Sequence, residues 1–189
     1  EPAEDTFQLL GSINIKKGKK FLEIGAGCGL ISLYFAKQGI DVVSTDINPY
    51  AVKNIVENYE NNQNKIKGLF EVREGDLFEP VKKEEIFDVI IFNPPYLPTN
   101  KEQIIKEDKW INTALNGGKD GLKYTEKFIS NVSKHLKKEG SSYFVFSSLS
   151  DREKLENILE KNNFFHKVFS SIRYNSEKID IYKIKKKKD

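Results

Sequence analysis

Apolar and polar positions along the chain follow two different periods. Short apolar runs predict strands at residues 21–24, 41–46, 69–73, 87–92, 142–146, 164–169 and 178–184. Between them, helical spacing predicts a helix from about Leu30, one opened by Asn48 and Pro49, and two more over residues 124–136 and 152–161. This alternation predicts one α/β domain over residues 1–189, with a seven-stranded, mostly parallel sheet, helices on both faces and an antiparallel last strand pair.

Residues 97–121 follow neither period, although they lie inside the predicted domain. They come directly after the strongly apolar run at 87–92, which we predict to be a central strand. A long irregular segment inside a compact domain is usually functional. Ligands of open α/β sheets bind at the carboxyl ends of the strands, so we predict a functional loop here.

The composition is that of a globular protein, with 38% hydrophobic and 31% charged residues among 189. No apolar run approaches the ~18 residues that a membrane-spanning helix needs. The single cysteine, Cys28, can form neither an internal disulfide nor a paired-cysteine metal site, which indicates the reducing cytoplasm and no metal centre. Because the chain begins with Glu1 and contains no methionine, we expect the native start to lie upstream.

The net charge of +3 is too small to argue for nucleic-acid binding by itself. Four consecutive lysines, from Lys185 to Lys188, stand near the carboxyl end. We interpret them as a solvated, frayed end, with a phosphate-contacting tail as the alternative.

Three glycines, Gly25, Gly27 and Gly29, separate the first predicted strand from the helix that follows it. Glycine permits a tight turn and a close approach of the backbone to a ligand. A dinucleotide-binding loop would need a further glycine where this chain has Leu30, and the Gly-Lys-Ser/Thr of a triphosphate loop is absent. The spacing therefore predicts a loop for another kind of ligand and disfavours a dehydrogenase.

Carboxylates stand at the ends of three successive predicted strands. Glu23 adjoins the glycine loop, where it would repel phosphate and favour the sulfonium and ammonium of S-adenosylmethionine. Asp46 ends the second strand, where a carboxylate can accept hydrogen bonds from both hydroxyls of a ribose. Asp76 follows the third strand and can meet an adenine edge. Together with the glycine loop, these acids predict S-adenosylmethionine as the cofactor.

The fourth predicted strand leads into Asn93-Pro94-Pro95-Tyr96. The prolines fix the backbone and donate no hydrogen bonds, and the Asn93 side chain offers a further acceptor. Two fixed acceptors can hold both hydrogens of an NH2 group, and the Tyr96 ring can stack on a planar amide or base. These bonds push electron density onto a weakly nucleophilic nitrogen and orient it. We therefore predict N-methyl transfer, with these four residues catalytic and no titrating base.

These residues together resemble the HemK-like protein-(glutamine-N5) methyltransferases. These are Rossmann-like enzymes that use S-adenosylmethionine to modify the glutamine of the Gly-Gly-Gln motif in class I release factors. The glycine loop, Glu23 and Asp46 are general to the methyltransferase class, and adenine-N6 and some guanine-N2 enzymes share the tetrapeptide. Two segments are more specific: residues 1–7 look like the opening of archaeal and eukaryal members, and residues 114–122 look like a loop of bacterial members.

The resemblance implies the short archaeal and eukaryal type, because bacterial members carry a preceding helical domain for which this chain has no room. In the opening segment, Pro2 followed by Glu4 and Asp5 is a helix-start pattern. It predicts a helical lid, with an ordinary terminal helix as the alternative. Besides Gly27 and Gly29, the cofactor contacts implied are Thr6, Glu23, Gly25, Asp46, Asp76, Leu77 and Asn93. Asn93 would also hold the substrate glutamine. The implied partners are a release factor in the cytoplasm, as substrate, and a small zinc-binding activator subunit.

Two other functions stay open from the residues alone. A nucleic-acid methyltransferase would use the same tetrapeptide on a flipped adenine or guanine, although the sequence has no separate recognition domain. A non-catalytic scaffold would bind the cofactor and have no need of an intact tetrapeptide. In the usual methyltransferase strand order the 69–73 strand lies at an edge, which makes Leu69, Phe70 and Val72 candidates for pairing with an activator.

Overall fold

A computed structural model of the chain describes residues 2–99 and 109–187. The strands in this part are β1 Lys20–Ile24, β2 Asp41–Asp46, β3 Phe70–Glu74, β4 Phe87–Phe92, β5 Leu136–Ser147, β6 Phe164–Tyr174 and β7 Glu177–Lys186. The α-helices are α1 Glu4–Ser12, α2 Leu30–Lys37, α3 Pro49–Glu60, α4 Lys109–Leu115, α5 Lys123–His135 and α6 Arg152–Lys161. A short 3-10 helix, Gln63–Lys65, follows α3.

The strands form one sheet in the order β3-β2-β1-β4-β5-β7-β6. The first five strands are parallel, and β7 runs antiparallel to both β5 and β6. This confirms the predicted sheet, its antiparallel last pair and the edge position of β3. The chain moves outward in opposite directions from β1 and β4, so a crevice opens between the carboxyl ends of these two strands.

The two faces of the sheet carry two separate hydrophobic clusters. On one face, α1 and α2 bury Leu9, Ile31 and Phe35 against the strands. On the other face, α5 and α6 contribute Phe128 and Leu155 to a cluster built on the opposite side chains of the same strands. Burial on both faces explains why β4 is almost continuously apolar in sequence.

The carboxyl-terminal strands are longer than their apolar runs predicted. β5 first pairs with β4 at Leu136, opposite Phe87, and the register then shifts before Val89. Because residues 137–139 are polar, the apolar pattern did not predict this early start of the strand. The edge strand β6 is mostly exposed and lacks a buried face over much of its length. Because β7 reaches Lys186, the interpretation of a frayed end is wrong for Lys185 and Lys186. Lys188 lies outside the described residues.

The segment predicted to be irregular, 97–121, contains the helix α4. Its apolar residues are spaced as in a helix, with Trp110 above Ala114 and Ile111 above Leu115. Seven residues give too few repeats for the period to stand out. Residues 100–108 of the predicted functional loop lie outside the described residues.

Within residues 2–99 and 109–187, no helix has the length and apolar character needed to cross a membrane. The same residues hold no group of three or more His, Cys, Asp or Glu side chains placed to bind a metal ion.

Candidate active site

The loop between β1 and α2 depends on glycine for its backbone. Gly25, Gly27 and Gly29 have φ values of +64°, +59° and +76°, a left-handed conformation that strains other residues. A Cβ atom on Gly29 would also lie 3.0 Å from the Ile55 side chain, on α3. Gly29 therefore lets two helices approach each other, while Gly25 and Gly27 face the crevice.

Asp46, at the end of β2, holds this loop through its carboxylate. One oxygen accepts a hydrogen bond from the Gly27 N–H at 2.8 Å, and the other accepts from the Asn48 N–H at 2.9 Å. Burial raises the pKa of Asp46, while these backbone N–H groups act in the opposite direction. The carboxylate is thus fixed in orientation, with lone pairs left for a ligand in the crevice.

Glu23, near the end of β1, is buried beside Ser32 of α2. One of its carboxylate oxygens accepts from the Ser32 N–H at 2.9 Å and from the Ser32 hydroxyl. Burial outweighs these bonds and raises the pKa of Glu23 to about 7. A cation bound next to Glu23 would favour its ionised form.

The turn after β3 carries Asp76 and Leu77. Leu77 has a φ of +48°, which is rare for a branched residue and costs about 1–2 kcal/mol. Such strain persists only where the surroundings enforce it, commonly at binding sites. The Asp76 carboxylate lies 4.0 Å from the Lys127 ammonium and remains partly exposed.

The tetrapeptide after β4 is joined to the first helix of the chain by one carboxylate. The Asn93 Nδ2 donates to Asp5 Oδ2 at 3.1 Å, and the Tyr96 hydroxyl donates to the same oxygen at 3.0 Å. In contrast, Asn93 Oδ1 is buried and has no hydrogen-bond partner among the described residues. An orphaned buried acceptor requires an explanation, and the residue that carries it lines the crevice.

The structure gives Tyr96 a different environment from the one expected. Its ring packs against the hydrophobic cluster to which α1 and α2 contribute, and it does not line the crevice. Burial and the nearby Asp5 carboxylate raise the pKa of Tyr96, so its hydroxyl remains a donor. This position does not support the stacking role suggested by the sequence; Tyr96 instead anchors α1.

A second glycine loop, residues 117–121, packs against the backbone of the tetrapeptide. The Gly117 N–H donates to the Leu97 carbonyl at 2.9 Å, and a Cβ atom on Gly117 would lie 2.8 Å from the Pro95 carbonyl oxygen. The Ser150 hydroxyl donates to the Tyr96 carbonyl at 2.8 Å. The segment that resembled a family loop thus has a physical role, because its glycines admit the tetrapeptide backbone at close range.

The crevice has two lobes that meet at Gly25, Gly27 and Asn93. One lobe, of about 220 Å³, is lined by residues that include Asp46, Asp76, Leu77, Pro95, Trp110 and Tyr124. The other, of about 510 Å³, is lined by residues that include Asp5, Thr6 and Glu23. The structure thus gathers the predicted site residues at one crevice, except that Gly29, Pro94 and Tyr96 do not line it.

The model of the family described as "Methyltransferase small domain" matches residues 5–178. The chain belongs to this methyltransferase family. It is 44% identical to the putative protein N5-glutamine methyltransferase of Methanocaldococcus jannaschii, over 87% of this chain and 80% of that protein. It is 32% identical to the eRF1 methyltransferase catalytic subunit of Schizosaccharomyces pombe, over 87% of this chain and 79% of that protein.

The fold of this methyltransferase matches a solved relative along nearly its whole length. The E. cuniculi Mtq2–Trm112 complex, described as responsible for methylation of the eRF1 termination factor, gives a TM-score of 0.73 at 23% identity, covering 99% of this chain and 98% of that chain. These findings confirm the Rossmann-like fold, the enzyme class, the resemblance to HemK-like enzymes and S-adenosylmethionine as the methyl donor.

The residues of the methyltransferase crevice fit that donor. A buried carboxylate, Asp46, stands ready to accept hydrogen bonds, and Glu23 gains its charge near neutral pH. Beside them, the backbone of the glycine loop is open to the crevice, since a Cβ atom on Gly27 would meet nothing within 4 Å. This set suits a ligand with hydroxyl donors and positive charge and would repel a pyrophosphate.

Replacing Asp46 with alanine is expected to weaken S-adenosylmethionine binding at least about tenfold. The variant loses a charged hydrogen-bond acceptor, worth roughly 1.5–3 kcal/mol per bond at most, and releases the Gly27 N–H. Titration calorimetry at pH 8 measures the affinity. Asp41→Ala, at the opposite end of β2, is the control, and unchanged binding by Asp46→Ala would remove Asp46 from the site.

Cofactor affinity is expected to rise about tenfold between pH 6 and pH 8, because Glu23 with a pKa of about 7 is mostly neutral below this range and ionised above it. Binding near pH 7 should release protons, and Glu23→Gln should flatten the dependence of cofactor affinity on pH.

In the free protein the same pKa shift affects the free energy of unfolding. The contribution of Glu23 to stability is complete below pH 4.5 and is lost as the pH rises through 7. Calorimetry in buffers of different ionisation enthalpy tests the proton release, and an unchanged slope in Glu23→Gln would assign it to another group.

Proposed function

We propose that this methyltransferase methylates the side-chain amide nitrogen of the glutamine in the Gly-Gly-Gln motif of a class I release factor. The names of its archaeal and fission-yeast relatives support the proposal. The observation that carries it is the buried Asn93 Oδ1, which has no donor among the described residues. A substrate N–H would satisfy this acceptor.

The cofactor would be held by residues on both sides of the glycine loop. Asp46 and Asp76 would face its nucleoside part in the smaller lobe, and Thr6 and Glu23 its charged part in the larger lobe. When bound, S-adenosylmethionine supplies a methyl group activated by a sulfonium. Asn93 lines both lobes, so the residue that carries the acceptor lies where the two parts of the crevice join.

The remaining chemistry is orientation of a poor nucleophile. An amide nitrogen shares its lone pair with the adjacent carbonyl. Asn93 Oδ1 accepts one N–H and a proline backbone carbonyl of the tetrapeptide accepts the other, which increases the electron density on nitrogen and fixes its direction. Orientation of this kind contributes ~7–11 kcal/mol to a reaction barrier. The methylated nitrogen is acidic and releases its proton to water, so no tuned base is needed.

Transfer of a labelled methyl group tests the substrate. The protein is incubated with labelled S-adenosylmethionine and a release factor, its Gly-Gly-Gln→Gly-Gly-Ala variant, RNA or DNA. Labelling of the release factor alone, lost in the variant, is the expected result. Labelling of RNA or DNA instead would establish a nucleic-acid methyltransferase, and labelling of nothing would favour a scaffold or another protein substrate.

We further propose that an accessory subunit pairs with the free edge of β3. Among the described strands, β3 hydrogen-bonds only to β2, and an open strand edge is a ready site for pairing with another chain. Leu69, directly before the strand, is 76% exposed. Phe70 instead stacks on Tyr59 at 5.0 Å, so its contribution to pairing is through the backbone. The E. cuniculi relative is part of a two-protein complex.

Expression without the accessory subunit is expected to give poorly soluble protein, and co-expression should restore solubility and activity. Leu69→Lys should weaken the complex, because it places a charge in an apolar contact. Phe165→Lys is the control, since Phe165 is similarly exposed on β6 at the opposite edge of the sheet. Size-exclusion chromatography and pull-down measure the complex. A stable, fully active monomer would contradict the accessory-subunit proposal.

A further inference from the structure

Asp5, in the first turn of α1, contacts both functional ends of the tetrapeptide with one oxygen. Its Oδ2 accepts from Asn93 Nδ2 and from the Tyr96 hydroxyl, at 3.1 and 3.0 Å. Its other oxygen, Oδ1, accepts from the Thr6 backbone N–H at 2.6 Å. Oδ1 also accepts from the Thr6 hydroxyl at 3.3 Å, so each oxygen of this carboxylate has its own partners.

An asparagine side chain can present either end to a ligand. Its oxygen accepts and its nitrogen donates, and the two differ only by a half-turn about the last bond. A substrate amide that donates two N–H groups needs the oxygen, because a facing NH2 group would oppose donor to donor. Some neighbour of Asn93 must therefore select between the two orientations. A carboxylate makes this selection, because it can only accept.

We propose that Asp5 is the positioning residue that fixes the polarity of Asn93, holding the Asn93 nitrogen so that its oxygen is offered to the substrate. This inference rests on the proposed methylation of an amide nitrogen. It gives α1 a task besides covering the cofactor, because one carboxylate of α1 sets the catalytic acceptor. Asp5 touches neither reacting group in this scheme and acts through Asn93.

The Thr6 N–H makes the isosteric variant Asp5→Asn informative. That N–H donates to the near side of residue 5 and so attracts the asparagine oxygen to itself. The asparagine nitrogen then faces Asn93, where it donates to the Asn93 oxygen and turns the Asn93 NH2 group toward the substrate. Asp5→Ala removes the selection without reversing it. Asp5→Asn should therefore lower turnover more than Asp5→Ala does. A purely structural role of Asp5 predicts the opposite order.

Single-turnover methyl transfer at saturating cofactor compares the variants on a Gly-Gly-Gln substrate. Asp5→Ala should be about tenfold slower than wild type, and Asp5→Asn at least about tenfold slower again. Glu4→Gln is the matched control, since it removes the same charge from the same helical turn at an exposed position. It should keep wild-type turnover. Cofactor affinity should fall far less than turnover in every variant.

A second change should repair the reversed polarity. In Asp5→Asn/Asn93→Asp, residue 93 is a carboxylate that accepts from the new asparagine nitrogen and still offers an oxygen to the substrate. The double variant should recover at least about tenfold over Asp5→Asn. Asn93→Asp alone should be poor, because two carboxylates then face each other across a distance suited to a hydrogen bond. Recovery of this kind would not follow from repacking of α1.

Nuclear magnetic resonance separates this inference from the proposed function. In 15N-labelled protein without substrate, the Asn93 side-chain NH2 signals should show a hydrogen bond to a carboxylate, lost in Asp5→Ala and in Asp5→Asn. If wild type methylates no glutamine but these signals change, the function is wrong and the positioning stands. Turnover of Asp5→Asn equal to or above that of Asp5→Ala, or NH2 signals unaffected by both variants, would overturn the inference.

Discussion

Replacing Asn93 with alanine is expected to slow single-turnover methyl transfer by about 100- to 1000-fold. The variant leaves a substrate N–H without an acceptor in a closed site, which costs ~1–3 kcal/mol, and it loses the orientation of the nitrogen. It also removes the partner through which Asp5 acts. The fold should persist, because Pro94, Pro95 and the glycine loop behind them still set the backbone.

The measurement for Asn93→Ala is a rapid-quench assay at saturating S-adenosylmethionine, with cofactor affinity determined separately by calorimetry. Turnover should fall far more than affinity. Asn61→Ala removes the same side chain from an exposed position at the end of α3 and should behave as wild type. Near-normal turnover by Asn93→Ala would mean that the tetrapeptide is only a turn.

Gly121→Ala is expected to lower turnover about a hundredfold through the backbone of the tetrapeptide. Gly121 has a φ of +74°, and an added Cβ atom would lie 2.4 Å from the Tyr96 carbonyl oxygen and 2.1 Å from Ser150 Oγ. The Ser150 hydroxyl could rotate away, but the Ser150 Cβ atom would still lie 2.9 Å from the added atom, and the Tyr96 carbonyl belongs to the backbone. The tetrapeptide must therefore shift, and a misplacement of about 1 Å near a reacting group costs on the order of a hundredfold in rate.

Gly18→Ala separates backbone strain from displacement of the site. Gly18 has a φ of +76°, close to that of Gly121, but nothing lies within 4 Å of its added Cβ atom. Both variants should lose about 1–2 kcal/mol of stability from the left-handed conformation, and Gly121→Ala should lose more. Only Gly121→Ala should lose turnover. Thermal unfolding and the rapid-quench assay give the two readouts, and equal turnover of both variants would contradict the supporting role of the second glycine loop.

The central strands β2 and β4 could be predicted well because they are largely buried on both faces. Residues 41–46 and 87–92 match β2 and β4 in full. The acids at the strand ends were also predictable. In a parallel sheet, Glu23, Asp46 and Asp76 must meet at one edge, and the structure places all three along the crevice.

The contacts that complete the site could not be predicted in the same way. Asp5 reaches Asn93 across 88 residues of sequence, and no local period reports where α1 lies on the sheet. From the sequence, the Tyr96 ring was predicted to stack on a substrate, because the sequence does not show that this ring packs against a hydrophobic cluster. Asp5, one of three acidic residues in segment 1–7, was the available signal, but the pattern of this segment indicated only the start of a helix and not a contact with Asn93.

The position of α1 against the last strands has a consequence for the order in which the enzyme folds during its synthesis. Gln8 donates to the Ile179 carbonyl at 3.1 Å, a bond that joins residues 171 positions apart. On a ribosome, α1 emerges before every strand described here, but β6 and β7 emerge after all the others. The carboxylate that orients Asn93 can therefore take its place only when synthesis has passed β7. A nascent chain that already contains the glycine loop and the tetrapeptide should therefore be unable to transfer a methyl group until β6 and β7 have emerged.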